Sequence, residues 1–254
     1  MKFGIVPLLL RDEVAADYWG TIEKLAQMGF QGIEGAGPAA EGDLDEAKRG
    51  RERFDGLGIE IIGLGIGYHQ LRERIDEMVE KARIFGCQHV IKYYAPAESA
   101  ETLYADAALY NEIGRICSDA GLTYCYHHHD HELLAEFDGR SGLEILMDET
   151  DPEHVHMQFD SAWLMYGEVD PVAYLRQHAE RVSLVHLKDV ADPGTRGTFC
   201  ALGAGHLPLR EFIAAAEEAG VPWGALEQDR TRVLNPLQAT QASAFILRER
   251  GYLS

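Results

Sequence analysis

The stretch DAGLTYC, residues 119–125, joins the end of a helix to the start of a strand. Glycine is the usual residue at the left-handed position that closes a helix. The same order of a small residue, glycine and an apolar run recurs in QMGFQGIE (27–34), DGLGIEII (55–62), IFGCQHV (84–90) and EAGVPWGALE (218–227). Five junctions of one kind predict a chain in which helices and strands alternate.

Outward from these junctions, eight short apolar runs predict strands with helix-like segments between them. The predicted strands are 3–9, 32–34, 60–65, 89–94, 123–129, 156–160, 183–188 and 224–228. The helix-like segments lie near 14–29, 43–57, 70–86, 101–120, 140–149, 170–179, 208–220 and 236–250. Eight strands each followed by a helix predict an α/β fold, the (β/α)8 TIM barrel. No linker divides the chain, so we expect a single domain over residues 1–254.

The charge balance restricts the partners that the chain can bind. Its 42 acidic and 23 basic residues give a net charge of −19. Nucleic-acid binding needs a basic face, so we expect no nucleic-acid partner. An acidic chain is better suited to holding a divalent cation.

Cysteine usage and the N-terminus indicate the compartment. Four cysteines occur without a CxxC pair, which is typical of free thiols in a reducing, cytoplasmic setting. The start MKFGIVPLLLRDE has no cleavage site and is interpreted as a first strand rather than a signal peptide. No apolar run reaches the roughly 18 residues of a membrane span, so we expect no membrane partner.

Polar side chains gather at the ends of the later strands, where a TIM barrel carries its active site. In HVHMQFD (154–160), period-two alternation puts Gln158 and Asp160 on one face, which we expect to point into the barrel. The next two strands end at His186 and Glu227. Carboxylates and a neutral imidazole from adjacent strand ends predict a divalent site for Mn, Co, Zn or Fe. The alternative interpretation is a buried salt-bridged cluster.

The fifth strand ends in YCYHHHDHELL (124–134), which places four histidines, an aspartate and a glutamate within seven positions. The small residues of this strand fit better inside a crowded barrel, which directs His127 and His129 inward. Glu132 follows in the loop and is close enough to extend over the mouth. The alternative is a polar loop on the rim. The imidazoles are candidate acid and base groups, because their ordinary pKa values are near neutrality.

Other strand ends supply candidate pocket residues. Lys92 and Tyr94 end the fourth strand, and we expect them to line the substrate pocket or to be structural. Glu34 ends the second strand and is a candidate either for substrate contact or for a structural hydrogen bond.

Three segments carry a resemblance to a known family. YHHHDHELL (126–134) resembles the YHNHxxEF motif of the sugar phosphate isomerase/epimerase group in the xylose-isomerase-like TIM-barrel superfamily. FDSAWLMYGEVDPVAYLRQHAERVSLVHLKDV (159–190) and LGAGHLPLREFIAAAEEAGVPWGALEQD (202–229) resemble later segments of that group. The resemblance spans about residues 3–250 and is most specific from 160 to 229.

The resemblance implies one divalent metal held by a Glu, Asp, His, Glu set. Asp160, His186 and Glu227 match the last three members. The first member aligns with Tyr126, so we expect Glu132 to serve as that ligand, with His127 or His129 as the alternatives.

The resemblance also implies roles in chemistry. Glu227 is the candidate base, and His127 and His129 add acid and base groups. Lys188 is a candidate for binding a substrate oxygen or stabilising an enolate. Trp163 replaces a histidine of the ketose epimerases, and we expect its ring to stack on a sugar face.

Together these features predict a metal-dependent isomerase or epimerase that removes a proton next to the carbonyl of a sugar, possibly phosphorylated. The enzymatic alternative is a lyase or dehydratase that eliminates from a keto-sugar or keto-inositol. A DNA-repair endonuclease of the same superfamily is disfavoured by the charge, and a non-catalytic sugar binder would not require the metal set. Proteins of this kind are commonly homodimers or homotetramers, and we expect one of these assemblies.

Overall fold

Parallel strands surround a common interior, and helices pack around them. The computed structural model describes residues 1–254. The strands are β1 (Lys2–Ile5), β2 (Gly32–Ile33), β3 (Glu60–Ile61), β4 (Gly63–Ile66), β5 (His89–Lys92), β6 (Thr123–His127), β7 (Glu136–Phe137), β8 (Arg140–Ser141), β9 (Val155–Asp160), β10 (Val182–Leu187), β11 (Asp189–Val190), β12 (Phe199–Cys200) and β13 (Trp223–Leu226).

Twelve α-helices follow or interrupt these strands. They are α1 (Arg11–Ala16), α2 (Tyr18–Gln27), α3 (Pro38–Glu41), α4 (Leu44–Leu57), α5 (Leu71–Phe85), α6 (Ala100–Asp119), α7 (Asp130–Leu134), α8 (Gly142–Glu149), α9 (Ser161–Tyr166), α10 (Pro171–Gln177), α11 (Leu209–Glu218) and α12 (Pro236–Glu249). Short 3-10 helices occupy Pro7–Leu10, Tyr68–Gln70 and Ala179–Arg181. No helix is both long and apolar enough to cross a membrane.

The main sheet has nine parallel strands in the order β3-β2-β1-β13-β10-β9-β6-β5-β4. Its two outermost members, β3 and β4, are separated in the chain only by Ile62. β3 pairs with β2 and β4 pairs with β5, so together they act as one interrupted strand that nearly closes the sheet into a barrel. The predicted TIM-barrel fold is therefore confirmed, and β3 with β4 takes the place of the third predicted strand.

Two apolar layers support this barrel. The large layer lies between the strands and the helices and includes the outward-facing Val155, Met157 and Phe159 of β9. A small layer fills the barrel interior; its buried members are Ile62, Ile91, Cys125, Leu184, Trp223 and Ala225. Polar side chains from the next inward positions lie above this small layer, at the carboxyl ends of the strands. The barrel interior is thus a packed floor beneath a polar mouth.

Several boundaries differ from the sequence prediction for local reasons. The first strand ends at Ile5 because Pro7 begins a 3-10 helix, where its fixed φ and missing N–H suit the first turn. The segment predicted as one helix near 14–29 is divided at Asp17, whose carboxylate caps α2 by accepting from the Gly20 amide at 2.9 Å. The fifth strand ends at His127, two residues early, because α7 starts at Asp130.

Two antiparallel hairpins were not predicted. β7 pairs with β8, and β11 pairs with β12 directly after the seventh barrel strand. Asp189 joins the second hairpin to the loop that follows it, because its buried carboxylate accepts backbone hydrogen bonds from Val190, Gly203, Gly205 and Leu207 at 2.8–3.0 Å. We refer to residues 189–200 as the β11–β12 hairpin. It lies beside the barrel mouth.

Candidate functional site

Four strand ends bring potential metal ligands together at the barrel mouth. His127, Asp160, His186 and Glu227 each offer one ligand atom, and these atoms all lie within 4.8 Å of one another. The residues come from β6, β9, β10 and the position after β13, which are consecutive neighbours in the sheet. Parallel strands with the same inward parity therefore bring together side chains that are 100 residues apart in the chain.

Local structure fixes the direction of Asp160. Its Oδ1 caps α9 by accepting from the Ala162 and Trp163 amides at 2.9 and 3.0 Å. This capping bond holds the carboxylate in one orientation and leaves Oδ2 to face the mouth. The backbone of Asp160 is held in turn by the His128 ring, whose Nε2 accepts from the Asp160 amide at 3.1 Å.

The donor set satisfies a direct test for a cation site. His127 Nδ1, Asp160 Oδ2, His186 Nδ1 and Glu227 Oε2 are buried and have no hydrogen bond of sound geometry. Buried polar atoms are normally hydrogen-bonded. Asp160 Oδ2 and Glu227 Oε2 contact only the Lys188 ammonium group and the His186 ring, so the four convergent atoms are available as ligands of a cation. Two imidazole nitrogens and two carboxylate oxygens match the preferences of divalent transition metals and Zn²⁺. The residues thus fit a divalent cation.

Lys188 contributes a positive charge to the same group. Its Nζ lies 3.0 Å from Asp160 Oδ2, 2.6 Å from Glu227 Oε2 and 2.9 Å from Asp229 Oδ2, while the side chain is almost completely buried. Asp229 lies two residues beyond Glu227 and is a site residue that the sequence analysis did not select.

The electrostatics favour positive charge at this position. Burial alone would raise the pKa values of Asp160 and Glu227, but Lys188 and His186 lower both pKa values below their usual range. Burial opposes charge on His186 and Lys188 as well, yet the surrounding carboxylates raise the pKa values of both above their usual range. The carboxylates are therefore kept ionised, as ligands of a cation must be.

The two inward histidines of the fifth strand behave differently. Burial lowers the pKa of His127 well below its usual range, and the charge on the neighbouring His186 adds to this effect. Burial, with Lys188 nearby, lowers the pKa of His129 to about 2. The rings of His127 and His129 meet edge to face with centroids 4.8 Å apart. Both are neutral at physiological pH, the form in which an imidazole can bind a metal.

Glu132, the expected first ligand, does not lie in the group of His127, Asp160, His186 and Glu227. Glu132 is completely buried in the first turn of α7, where Oε1 accepts from the Tyr126 hydroxyl at 2.7 Å and Oε2 accepts from the His129 amide at 2.8 Å. It belongs to a separate group with His129 and His131. These bonds hold the carboxylate in the α7 turn, and the residue that lies beside Asp160, His186 and Glu227 is His127, which was an alternative in the sequence analysis.

Lys92 also lies elsewhere than expected. Its side chain is fully buried on the outer side of the barrel wall, with Nζ 3.5 Å from the centre of the Tyr126 ring. It cannot line the mouth, because alternation along β5 turns it toward the helices. The inward residue is Tyr93, whose ring occupies the space that Gly65 leaves: a Cβ on Gly65 would lie 1.8 Å from Tyr93 Cε2. Ile91 is an interior residue of β5, so period-two alternation also turns Tyr93, two positions later, into the barrel.

The rim is aromatic and basic. Trp163 is nearly buried, with its ring centroid 5.0 Å from that of His129 and 4.8 Å from Lys188 Nζ. Arg196 of the β11–β12 hairpin lies 5.1 Å from the same ring and pairs with Asp130 of α7, one of its two bonds being 2.9 Å long. Tyr94 is 56% exposed and lies at the outer edge, 5.5 Å from the His129 ring. These rings form the entrance to the site.

Glu34 lies on the far side of the His186 ring from the other carboxylates. His186 Nε2 is 3.0 and 3.1 Å from its two oxygens, and Gln158 Nε2 donates to Oε2 at 2.6 Å. Glu34 is 3% exposed, so the structure shows hydrogen bonding within the protein rather than an open contact surface.

Comparisons with known proteins identify the family and the fold of the chain. The family model described as xylose isomerase-like TIM barrel matches residues 22–250. An inosose dehydratase of Clostridium beijerinckii is 36% identical over 220 residues, covering 80% of this chain and 69% of the relative. A sugar phosphate isomerase/epimerase from Parabacteroides distasonis superposes with a TM-score of 0.81 at 20% identity, covering 100% of this chain and 97% of the other. The IolI protein, solved with a bound zinc atom, superposes with a TM-score of 0.74 at 15% identity over 100% of both chains.

Proposed function

Because the chain belongs to the xylose isomerase-like TIM barrel family, we propose that it is a divalent-metal-dependent dehydratase acting on a keto-inositol or a related keto-sugar. The observation that carries this proposal is the 36% identity to an inosose dehydratase over 80% of the chain. A substrate of this carbohydrate type has a carbonyl, a neighbouring C–H bond and a hydroxyl on the next carbon, as elimination of water requires.

Isomerisation and dehydration share their first step, the removal of a proton next to a carbonyl. The site geometry supports that step and does not separate the two outcomes. The 36% identity to a dehydratase supports the second outcome, so we favour the dehydratase alternative over the isomerase or epimerase preferred from the sequence.

The proposed ligand set is His127, Asp160, His186 and Glu227, and Zn, Mn, Co or Fe are the candidate cations. When bound, such a cation supplies Lewis acidity that makes the hydrogen next to the carbonyl more acidic and stabilises the resulting negative charge. Zinc has one supporting observation, the zinc atom in a structural neighbour.

We assign proton transfer to Glu227 and Lys188. The Glu227 carboxylate takes the proton from carbon, and the C–H electron pair becomes the double bond of an enolate. Return of the carbonyl then expels the hydroxyl of the next carbon, which leaves as water with a proton from the Lys188 ammonium group. Lys188 Nζ lies 2.6 Å from Glu227 Oε2, so the proton taken from carbon can return to Lys188 and close the cycle. General acid and base catalysis of this kind typically contributes about 10²–10⁴-fold.

The entrance residues bind and shield the substrate in this proposal. The Trp163 ring offers an apolar face to the sugar ring, while Tyr93 and His129 offer hydrogen-bonding groups beside it. Tyr94 at the outer edge narrows the opening.

The test is product analysis with an inosose and with a panel of ketohexoses. Metal-loaded protein should convert the inosose to a product lighter by one water, and Glu227→Gln should lower the rate by at least about 10²-fold. Glu211→Gln, on the exposed face of α11, is the matched carboxylate control and should keep the full rate. A product of unchanged mass would replace the dehydratase with an isomerase or epimerase.

A further inference from the structure

Glu34 is the only carboxylate that contacts the Nε2 side of the His186 ring. Both of its oxygens lie within 3.1 Å of His186 Nε2, and its side chain has no exposed surface. It directly follows β2, which is three strands away from β10 in the sheet order. Two oxygens sharing one ring nitrogen require a proton on that nitrogen, because a lone pair facing a carboxylate would be repelled.

This proton determines what the other ring nitrogen can do. An imidazole protonated on Nε2 and neutral overall carries its lone pair on Nδ1. His186 Nδ1 is the atom that faces Glu227 Oε2 at 3.0 Å and Asp160 Oδ2 at 3.6 Å. The hydrogen bond to Glu34 therefore orients the ring with Nδ1 toward the ligand group, and it keeps the Nε2 proton in place when a cation displaces the proton between Nδ1 and these carboxylates.

A second contact fixes Glu34 itself. Gln158, an inward residue of β9, donates to Glu34 Oε2 at 2.6 Å. Both oxygens of Glu34 are thus engaged by protein groups, by Gln158 and by His186. These contacts favour an indirect role over the substrate contact considered for this residue in the sequence analysis.

We propose that Glu34 is a positioning residue, which sets the tautomer and ring orientation of His186 for metal binding. The inference rests on the proposed metal-dependent function, because it concerns one ligand of that site. Carboxylate partners of metal-binding histidines typically contribute 10–100-fold to metal affinity when they orient the ring in this way.

The experiment measures Co²⁺ binding without substrate in the wild type, Glu34→Ala and Glu34→Gln. Titration gives the dissociation constant, and the visible absorption of bound Co²⁺ reports ligand geometry. Glu34→Ala should bind about 10–100-fold more weakly with an altered spectrum. Glu34→Gln should recover most of the affinity, because its amide oxygen still accepts the Nε2–H bond.

Cys125→Ala is the matched control. Cys125 is buried in the interior layer below the site and bonds only to Ser183 Oγ at 2.9 Å, so its loss should cost stability without changing Co²⁺ affinity. Thermal unfolding of each metal-free variant separates weaker binding from loss of fold. If Glu34→Ala does not fold, Glu34→Met replaces it, since methionine fills the space and offers no carboxylate or amide oxygen to the ring.

Two results would overturn the inference. One is a Glu34→Ala or Glu34→Met protein with wild-type Co²⁺ affinity and spectrum. The other is a Glu34→Gln protein as weak as these variants, which would assign the effect to charge rather than to acceptance of the ring proton. Failure of the proposed function is distinguishable from both, because wild-type protein would then bind Co²⁺ without dehydrating an inosose.

Discussion

At the scale of the residue, consecutive side chains of β6 serve opposite sides of the barrel wall. His127 faces the mouth, while the Tyr126 ring lies outside beneath Lys92 and its hydroxyl bonds to Glu132. The alternation of a strand therefore separates the group that can hold a cation from the groups that fix the wall.

Alanine substitutions of His127 and of Glu132 should affect different properties, metal binding in the first case and stability in the second. His127→Ala should weaken divalent-metal binding by more than about tenfold, since it removes an atom of the proposed ligand set, and supporting residues alone contribute 10–100-fold. Glu132→Ala should lower the free energy of unfolding by about 2–3 kcal/mol, because the Tyr126 hydroxyl and the His129 amide lose their acceptor. Metal titration and urea unfolding of both proteins provide the measurements. A Glu132→Ala protein that loses metal but keeps its stability would restore Glu132 as the ligand.

The sequence predicted three of the four clustered groups, because Asp160, His186 and Glu227 end strands whose parity is readable. The sequence did not single out the fourth, because His127 and His129 on the fifth strand and Glu132 in the following loop were all candidates. Only the position of α7, where Glu132 caps the first turn, separates Glu132 from His127. The roles assigned to these residues stay predictions.

Lys92 provides a second residue-scale prediction, concerning stability and pH. Burial lowers the pKa of Lys92 to about 7, and its Nζ has no hydrogen-bond partner. The unfolded chain keeps this proton up to the ordinary lysine pKa near 10.4, so the cost of burial is fully present below pH 7 and disappears as the pH rises from about 7 to 10. Lys92→Met should therefore stabilise the protein by about 2–4 kcal/mol at pH 6 and by much less at pH 10. Urea unfolding at both pH values measures the difference.

Lys81 is the matched control for this prediction. It is equally buried, but its Nζ donates to the Ala40 carbonyl at 2.7 Å and pairs with Glu77. Lys81→Met should destabilise the protein, because the substitution leaves these acceptors without a donor. A Lys92→Met protein that is also less stable at pH 6 would contradict the argument from burial.

At the scale of the element, the β11–β12 hairpin is joined to α7 across the rim. Arg196, whose side chain is 63% exposed, pairs with the nearly buried Asp130, and its guanidinium group lies over Trp163. At the base, Asp189 anchors the hairpin through four backbone bonds. The tip is thus held by contacts between side chains, and the base is held by backbone amides that donate to the Asp189 carboxylate.

Arg196→Ala should release the tip and leave the base in place. Amide hydrogen exchange across residues 191–198 should accelerate by up to about fivefold, because an exposed ion pair contributes at most about 1 kcal/mol. Arg140→Ala, which breaks the exposed pair with Asp148 beside α8, should leave exchange in this segment unchanged. Equal exchange rates in the wild type and Arg196→Ala would show that the pair does not hold the tip.

The sequence predicted the barrel strands and the long helices but missed the small elements. Glycine caps and apolar runs mark each barrel unit, and α4, α5, α6, α11 and α12 lie where they were expected. The helices α3, α7 and α9 have four to six residues, too few for a helical period to be visible. The β11–β12 hairpin depends on a buried carboxylate and on contacts distant in sequence, which local pattern cannot reveal.

At the scale of the whole molecule, a strongly acidic chain concentrates carboxylates at one end of its barrel. The net charge is −19, and Asp160, Glu227 and Asp229 all lie within 3.0 Å of a single ammonium group. The absence of nucleic-acid binding, the cytoplasmic location, the single domain over residues 1–254 and the homodimer or homotetramer stay predictions.

Metal binding should stabilise the entire fold. A divalent cation at about 100 times its dissociation constant adds about 2.7 kcal/mol, which for a chain of this size raises the melting temperature by roughly 5–10 °C. Differential scanning calorimetry of chelator-treated protein, with and without added Zn²⁺ or Mn²⁺, measures the rise. The double variant His127→Ala/His186→Ala should show none of it. An equal rise in wild type and double variant would assign the effect to sites elsewhere on the surface.

The barrel strands differ in length, and this difference should determine where the barrel opens first. β2 and β3 have two residues each, whereas β9 and β10 have six each. Short ladders open at lower free energy than long ones. Local opening should therefore begin at β2 and β3, beside Ile62, while β9 and β10 stay paired. Insertions into the chain should destabilise the fold less near β2 and β3 than beside β9 and β10.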